Sequence, residues 1–488
     1  MPEKKNSKNK KTVKNDTTDK KETSEETGTA VKKELPKKSS SSGIPDKLKR
    51  FFPLSFIIAF VFDLIYGLFY YNSFEATALF DTSSYFEAAG RLAEGKVDLL
   101  RTPLYPVYLR FCEKIGGENV NQVAVSFQII FFFISIWFFY KLLEQFTSNH
   151  VMLAAGSILY GCMTPYINFN FMMLTESFSV SLIVIFCFFL VRSVKEYKFS
   201  FLTVSIILSF IMTMLRPGAV YLYIADLLAM IPFAVKFIRK KLSFTKAVLV
   251  PLISFILCVA ALFGYMSKNK SDNGYYGLSY VSEMNKFYDV VMADIWQDNQ
   301  DREIVDKISE LTDGGPGTLG AAIDTETEFR DPARIKAFNA EAIDDHTKDY
   351  CLFLLKKVWT MGYNHMSYNL SHDSYYLKED VSRDIYWIGD FLDFNVNFVY
   401  LIVLMSGIFI VALIFDRKRF LWPEFLITAV RAGQLAVNIL AGPAEFHRLN
   451  ATCYPLAILL LFAWAGLAYD KIRGSGKAKE EDSSEDKG

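Results

Sequence analysis

Lys47-Leu-Lys-Arg50-Phe-Phe-Pro53-Leu-Ser-Phe-Ile-Ile-Ala-Phe60-Val-Phe-Asp63-Leu-Ile-Tyr66-Gly-Leu-Phe-Tyr70-Tyr71-Asn72 decides the fold class. A basic cluster abuts a run of apolar residues long enough to cross a bilayer as a helix at ~1.5 Å rise per residue. Basic residues flank the cytoplasmic end of a span, so the N-terminus is expected in the cytoplasm. No small-residue cleavage site follows the run, which therefore reads as a retained span and not as a signal peptide.

Outward from this span the pattern repeats. Further apolar runs lie at about 121–142, 151–170, 174–192, 200–215, 218–236, 246–266, 395–415, 421–441 and 451–469, which predicts about ten transmembrane helices. The expected inner connections carry Lys141, then Arg192, Lys195 and Lys198, then Lys236, Arg239, Lys240 and Lys241, then Arg417, Lys418 and Arg419. Both termini are accordingly expected in the cytoplasm. The 488 residues include 44 Phe and 26 Tyr, and the 22% that are charged gather in blocks between apolar runs, whereas a soluble domain scatters them. The expected fold class is all-α, a polytopic membrane protein.

The formal net charge of zero hides an asymmetry: residues 1–50 hold 15 Lys/Arg against 8 Asp/Glu, and 268–393 hold 13 against 24. Residues 1–50 are too poor in large apolar side chains to offset chain entropy and read as a disordered basic cytoplasmic tail. The expected organisation continues with an N-terminal transmembrane module at 51–267 that carries an outer loop at 72–120. An extracytoplasmic segment at 268–393, transmembrane helices at 394–470 and a second disordered tail at 471–488 follow. The Lys-rich tail fits a bacterial cell membrane with anionic lipid on its inner face. The six cysteines occur singly and no Cys/His metal spacing appears, so neither a disulfide framework nor a zinc site is expected. His365, His372 and Asp373 lack a recognised ligand spacing.

The loop at 72–120 reads as two short interfacial helices. Asp81 or Thr82 is the expected N-cap of the first, Tyr85, Ala88, Ala89 and Leu92 form its stripe, and Gly95 stops it. The second starts at Thr102-Pro103 and runs from Leu104 to Gly116-Gly117. The segment at 268–393 reads as partly helical. It opens on a Gly/Tyr-rich turn at Asp272–Gly277, contains a break at Asp313–Gly317, and includes an amphipathic membrane-surface helix at Tyr350–Trp359.

Asp81, Tyr85, Ala88, Leu92 and Gly95, followed by Arg101-Thr-Pro103-Leu-Tyr105-Pro106, resemble the first extracytoplasmic loop of the GT-C-class glycosyltransferases. These multispan enzymes include the protein O-mannosyltransferases of glycosyltransferase family 39 and the bacterial lipid A aminoarabinose transferases. Leu174-Thr-Glu176-Ser, Leu215-Arg216-Pro-Gly218, and His447-Arg448 before Tyr454-Pro455 extend the resemblance. It implies transfer of a hexosyl or pentosyl unit from a polyprenyl-phosphate donor to an acceptor on the outer face. The acceptor would be a protein, a glycolipid or a cell-wall polymer; nucleic acid is not an expected partner.

In the family the first-loop acid is the catalytic carboxylate, which here matches Asp81, and Glu176 matches an acid near the membrane face. Many relatives carry a second acid directly after the first; this chain has Thr82 there. No cofactor is required by these residues, and a divalent metal stays compatible with the resemblance. A departing phosphate needs fixed cations, and arginine suits it because its planar fork engages two oxygens. Arg101, Arg216 and Arg448 lie at expected outer boundaries, where arginines also snorkel to head groups. Tyr85, Tyr105 and His447 are expected to line the substrate, although an interfacial aromatic belt also accounts for tyrosines there. Asp63, Asp226 and Arg431, with Glu424 on the same helical face as Arg431, fall within apolar runs and read as bundle-internal pairs or cavity lining. The same residues support the rival reading, a flippase or other transporter of lipid-linked sugars.

Overall fold

The computed structural model describes residues 52–73, 75–78, 80–244, 248–312, 329, 331–361, 422–442, 449, 452–466 and 469. Both tails, the run at 395–415, the break at Asp313–Gly317, His365, His372, Asp373, His447 and Arg448 lie outside the described residues.

The chain is an all-α polytopic membrane protein, and no strand occurs among the described residues. Helices α1 (Leu54–Ser73), α2 (Phe80–Ala93), α3 (Leu104–Gly116), α4 (Val120–Leu143), α5 (His150–Cys162) and α6 (Thr164–Phe171) come first. Next are α7 (Glu176–Glu196), α8 (Phe199–Leu215), a 3-10 turn at Pro217–Tyr221, α9 (Leu222–Ile238) and α10 (Val250–Asn273). The remainder are α11 (Val281–Met292), α12 (Arg302–Thr312), α13 (Pro332–Asp345), α14 (Thr347–Met361), α15 (Trp422–Ala441) and α16 (Tyr454–Gly466).

Among the described residues, four helical stretches are long and apolar enough to cross a membrane: Leu104–Leu143, Glu176–Glu196, Pro217–Ile238 and Val250–Asn273. Shorter apolar helices lie at Leu54–Phe69, His150–Cys162, Phe199–Leu215 and Tyr454–Gly466. Helix α7 is the hub, with 83% of its apolar window buried, whereas α10 has 11% buried and runs along the periphery.

Three boundaries differ from expectation. The run at 151–170 is two helices, because Met163 adopts an extended conformation ahead of Pro165 and the chain restarts as α6. The run at 246–266 continues as one helix to Asn273, where Gly274 at φ +73° supplies the left-handed cap. Pro103 flanks α3 as its N-cap, and α3 is nearly continuous with α4 through a 3-10 turn at Gly117–Asn119. Gly95 stops α2 at φ +77°, as expected.

In lipid, apolar contact alone gives little drive for helices to associate, so close approach and polar contacts matter more. The carboxyl of Asp63 fills the space over Gly161, where a Cβ would lie 2.2 Å from its Cγ, and it accepts from Cys162 Sγ at 3.3 Å. Asp226 accepts from Ser209 at 2.6 Å and Ser205 at 2.8 Å. Neither acid is ion-paired among the described residues: small hydroxyl and thiol donors take the place of the expected charge pairs.

Helices α11–α14 build a second apolar core around Phe287, Ile304, Ile308, Ile335 and Phe338. Two links tie this unit to the bundle. Tyr280 N donates to Leu99 O at 2.9 Å and Ser279 Oγ to Leu100 O at 2.6 Å. Lys357 Nζ reaches Asp289 at 2.7 and 2.8 Å and Ile439 O at 3.1 Å. Helix α14 leaves Leu352 and Leu355 exposed, in keeping with an amphipathic surface helix, while Lys357 turns inward.

Candidate active site

Helix α2 carries Asp81 in its first turn, so the partial positive charge of the helix start favours its ionised form. It does not cap the helix as expected, because α2 begins at Phe80. Its carboxylate accepts from Arg101 Nη2 at 2.7 Å. Arg101 Nε donates to Ser84 Oγ at 2.8 Å, and Ser84 Oγ donates to the Asp81 carbonyl at 2.7 Å. The guanidinium lies over the Tyr85 ring, 4.7 Å from its centroid. The Asp81 and Arg101 side chains remain 27% and 19% exposed, so the pair is fixed yet open.

Arg101 owes its position to a stitched turn. Asp98 Oδ1 accepts from Leu100 N at 2.9 Å and Arg101 N at 2.8 Å. Val97 is held on both sides, its N–H donating to Asp272 at 2.8 Å and its carbonyl accepting from Asn273 Nδ2 at 3.0 Å.

The second pair forms where α7 begins. Glu176 is the first residue of α7 and is 0% exposed; Thr175 Oγ1 donates to it at 3.3 Å. Arg216 Nη1 lies 3.4 Å from Glu176 Oε1. Pro217 forces Arg216 into an extended conformation (φ −149°), which ends α8 and turns the side chain off the helix. Buried Arg216 Nη1 has no hydrogen-bond partner of its own, so the contact is Coulombic.

The link between α6 and α7, residues 172–175, joins the two pairs. Thr77 N donates to Phe171 O at 2.8 Å, and Met173 N to Thr77 O at 3.0 Å. Thr82 Oγ1 donates to Met173 O at 3.2 Å and so tethers the start of α2 to this segment. Buried Gln128 donates to Asn170 O at 3.0 Å and Met172 O at 2.9 Å and accepts from the Tyr105 hydroxyl at 2.8 Å.

The structure thus joins Asp81 with Arg101 and Glu176 with Arg216, and it places Tyr85 against the first pair. Tyr105 departs from the expected substrate lining: it is 0% exposed, its hydroxyl is spent on Gln128, and its ring stacks edge-on behind Tyr85 at 4.8 Å. His447 and Arg448 lie outside the described residues. Among the described residues no group of three or more His, Cys, Asp or Glu could hold a metal ion. Sequence reasoning missed Ser84, Gln128 and Thr82 as supports. Only the spacing of Ser84 from Asp81, one helical turn, offered a signal.

Compared with known proteins, residues 101–265 match the family model described as dolichyl-phosphate-mannose-protein mannosyltransferase. No curated protein matches the chain at a significant level. The family match covers less than half of the chain and supports a GT-C-like membrane glycosyltransferase.

Proposed function

From the premise of a GT-C-like membrane glycosyltransferase, we propose that this chain moves one glycosyl unit from a polyprenyl-phosphate donor to an acceptor on the extracytoplasmic face. Both termini then lie in the cytoplasm, and the loop at 72–120 and the segment at 268–393 lie outside. The observation that carries this reading is the open Asp81–Arg101 pair beside Tyr85, an acid and a cation held together without being closed off.

In a single inverting displacement, the acceptor oxygen bonds to the anomeric carbon as the bond from that carbon to the phosphate oxygen breaks. The electron pair leaves with the phosphate, and the acceptor proton passes to Asp81. Arg101, next to both Asp81 and open space, and Arg216 steady the charge that develops on the phosphate. Fully buried Glu176 cannot meet the acceptor directly and instead orients Arg216. Tyr85, itself only 5% exposed, supports the Arg101 guanidinium with its ring, and Tyr105 holds that ring from behind. The α11–α14 unit, bonded to Leu99 and Leu100 just before Arg101, keeps the loop in register and helps exclude water.

Mass spectrometry of surface glycans from a deletion strain beside its parent tests this. Loss of one sugar residue, restored by the parental chain and not by Asp81→Asn, is the expected result. Unchanged glycans, or full restoration by Asp81→Asn, would overturn it.

A further inference from the structure

Helix α15 is polar where a membrane helix should be apolar. Glu424, Arg431, Gln434 and Asn438 share one face, and all four are buried in the bundle at 7%, 4%, 8% and 2% exposure. Gln434 donates to Asn438 at 2.8 Å and to Leu449 O at 3.3 Å. The expected Glu424–Arg431 pair does not form, and Glu424 Oε2 is buried with no hydrogen-bond partner among the described residues.

Among the described residues no acid pairs with the Arg431 guanidinium. Its Nε and Nη1 are buried with no hydrogen-bond partner among the described residues, and its guanidinium carbon lies 6.0 Å from the Tyr454 ring centroid, the outer limit of a cation–π interaction. Burying a cation unpaired is strongly unfavourable, so the site is built for an anion that binds there. A second cation is carried by a turn packed on the same helix. The 3-10 turn that carries Arg216 packs on α15, with Gly218 against Val437 and Tyr221 against Gly433. The Tyr221 hydroxyl meets Cys453 Sγ at 3.5 Å. Arg216 Nη1 is likewise buried and has no hydrogen-bond partner among the described residues.

We propose that Arg431 and Arg216 form an anion site sunk among the helices, which takes the phosphate of a lipid-linked phosphate ester below the water–lipid border. This rests on the polyprenyl-phosphate reading above and adds a residue and a depth to it. The chemistry favours the product. A glycosyl phosphodiester carries one negative charge, whereas the monoester it leaves behind carries about −1.5 to −2 near neutral pH. Against Glu176 alone, two arginines leave one positive charge over, and that excess attracts the charge added on departure. Arg431 is then a cation that draws the leaving group inward as the bond breaks.

The test is ligand-induced thermal stabilisation of the detergent-purified full chain by farnesyl phosphate, with farnesol and inorganic phosphate as controls. Farnesyl phosphate alone should stabilise the parental chain. Arg431→Met should weaken its binding by roughly tenfold or more, and Arg431→Lys by less. Circular dichroism of each variant verifies that the helices persist, and Arg431→Lys carries the test if Arg431→Met does not fold. Equal stabilisation of Arg431→Met and parent overturns the role of Arg431 and leaves the donor reading standing. A parental chain that responds to farnesyl phosphate no more than to farnesol overturns both. Equal stabilisation by inorganic phosphate overturns the lipid-linked ligand.

Discussion

The two acid–arginine pairs near the head of the bundle look alike in sequence and differ in what water can reach. Asp81–Arg101 is tight at 2.7 Å and open, with side chains 27% and 19% exposed. Glu176–Arg216 is loose at 3.4 Å, and its acid is fully enclosed. An acid that exchanges a proton with a substrate must be reachable; an acid that only aims a cation need not be. The contrast assigns contact chemistry to Asp81 and orientation to Glu176.

The largest expected effect is at the open pair. Asp81→Asn keeps size and removes the proton acceptor, so kcat should fall by about 10²–10⁴ while thermal stability changes by no more than about 1 kcal/mol. Initial rates and denaturant unfolding on one preparation check both halves. A large loss of stability would erase the distinction between the pairs.

A third pair extends the comparison to ion pairs without chemistry. Lys357–Asp289, at 2.7 Å with side chains 3% and 1% exposed, joins α14 to α11 inside that unit, while Lys357 also donates to Ile439 O of α15. Breaking it with Lys357→Met leaves a buried acid alone and should cost about 3–5 kcal/mol, whereas Lys357→Met with Asp289→Leu should be nearly neutral. Burial pushes the Asp289 carboxyl up to about 6 despite the adjacent ammonium. The folded state therefore holds that proton more tightly than the unfolded chain, whose carboxyl titrates near ~3.9. The stabilisation from this group is present below that value and is lost as pH rises to about 6. Unfolding followed from pH 4 to pH 7 should show that decline, and Asp289→Asn should flatten it.

Glu176→Gln comes next. It leaves Arg216 with a neutral neighbour, so stability should fall by about 1–3 kcal/mol and donor KM should rise more than kcat falls. A kcat loss as deep as that of Asp81→Asn would break the assignment. The smallest expected effect is Ser84→Ala, which removes one hydrogen bond to Arg101 and should cost about 1 kcal/mol or less, read as a few-fold change in kcat/KM.

What could be read in the sequence follows from what periodicity records. Apolar length marked α1, α4, α7, α8 and α9 closely, because the bilayer sets that length. Pro165 split a run that hydropathy alone joined, and the extension of α10 to Asn273 is hidden where its residues turn polar before Gly274 caps it. At the site, Asp81 and Arg101 were legible as residue types, but their pairing across 20 residues depends on the turn held by Asp98, which no local pattern reports. Gln128 lies among apolar residues of α4 and reads as an incidental polar residue until its three partners are brought together. The polar face of α15 was half visible. Seven-residue spacing put Glu424 and Arg431 on one face, and only the fold reveals that they do not pair.

The central claim, a reachable acid on the extracytoplasmic side, is tested most directly by sided labelling of α2. Gly90 is exposed, and a Cβ added there meets nothing within 4 Å, so Gly90→Cys leaves the helix intact. Exposed Cys351 is first changed by Cys351→Ser. Intact cells treated with a membrane-impermeant maleimide should label Gly90→Cys fully; labelling only after the membrane is opened would put Asp81 in the cytosol and contradict the account.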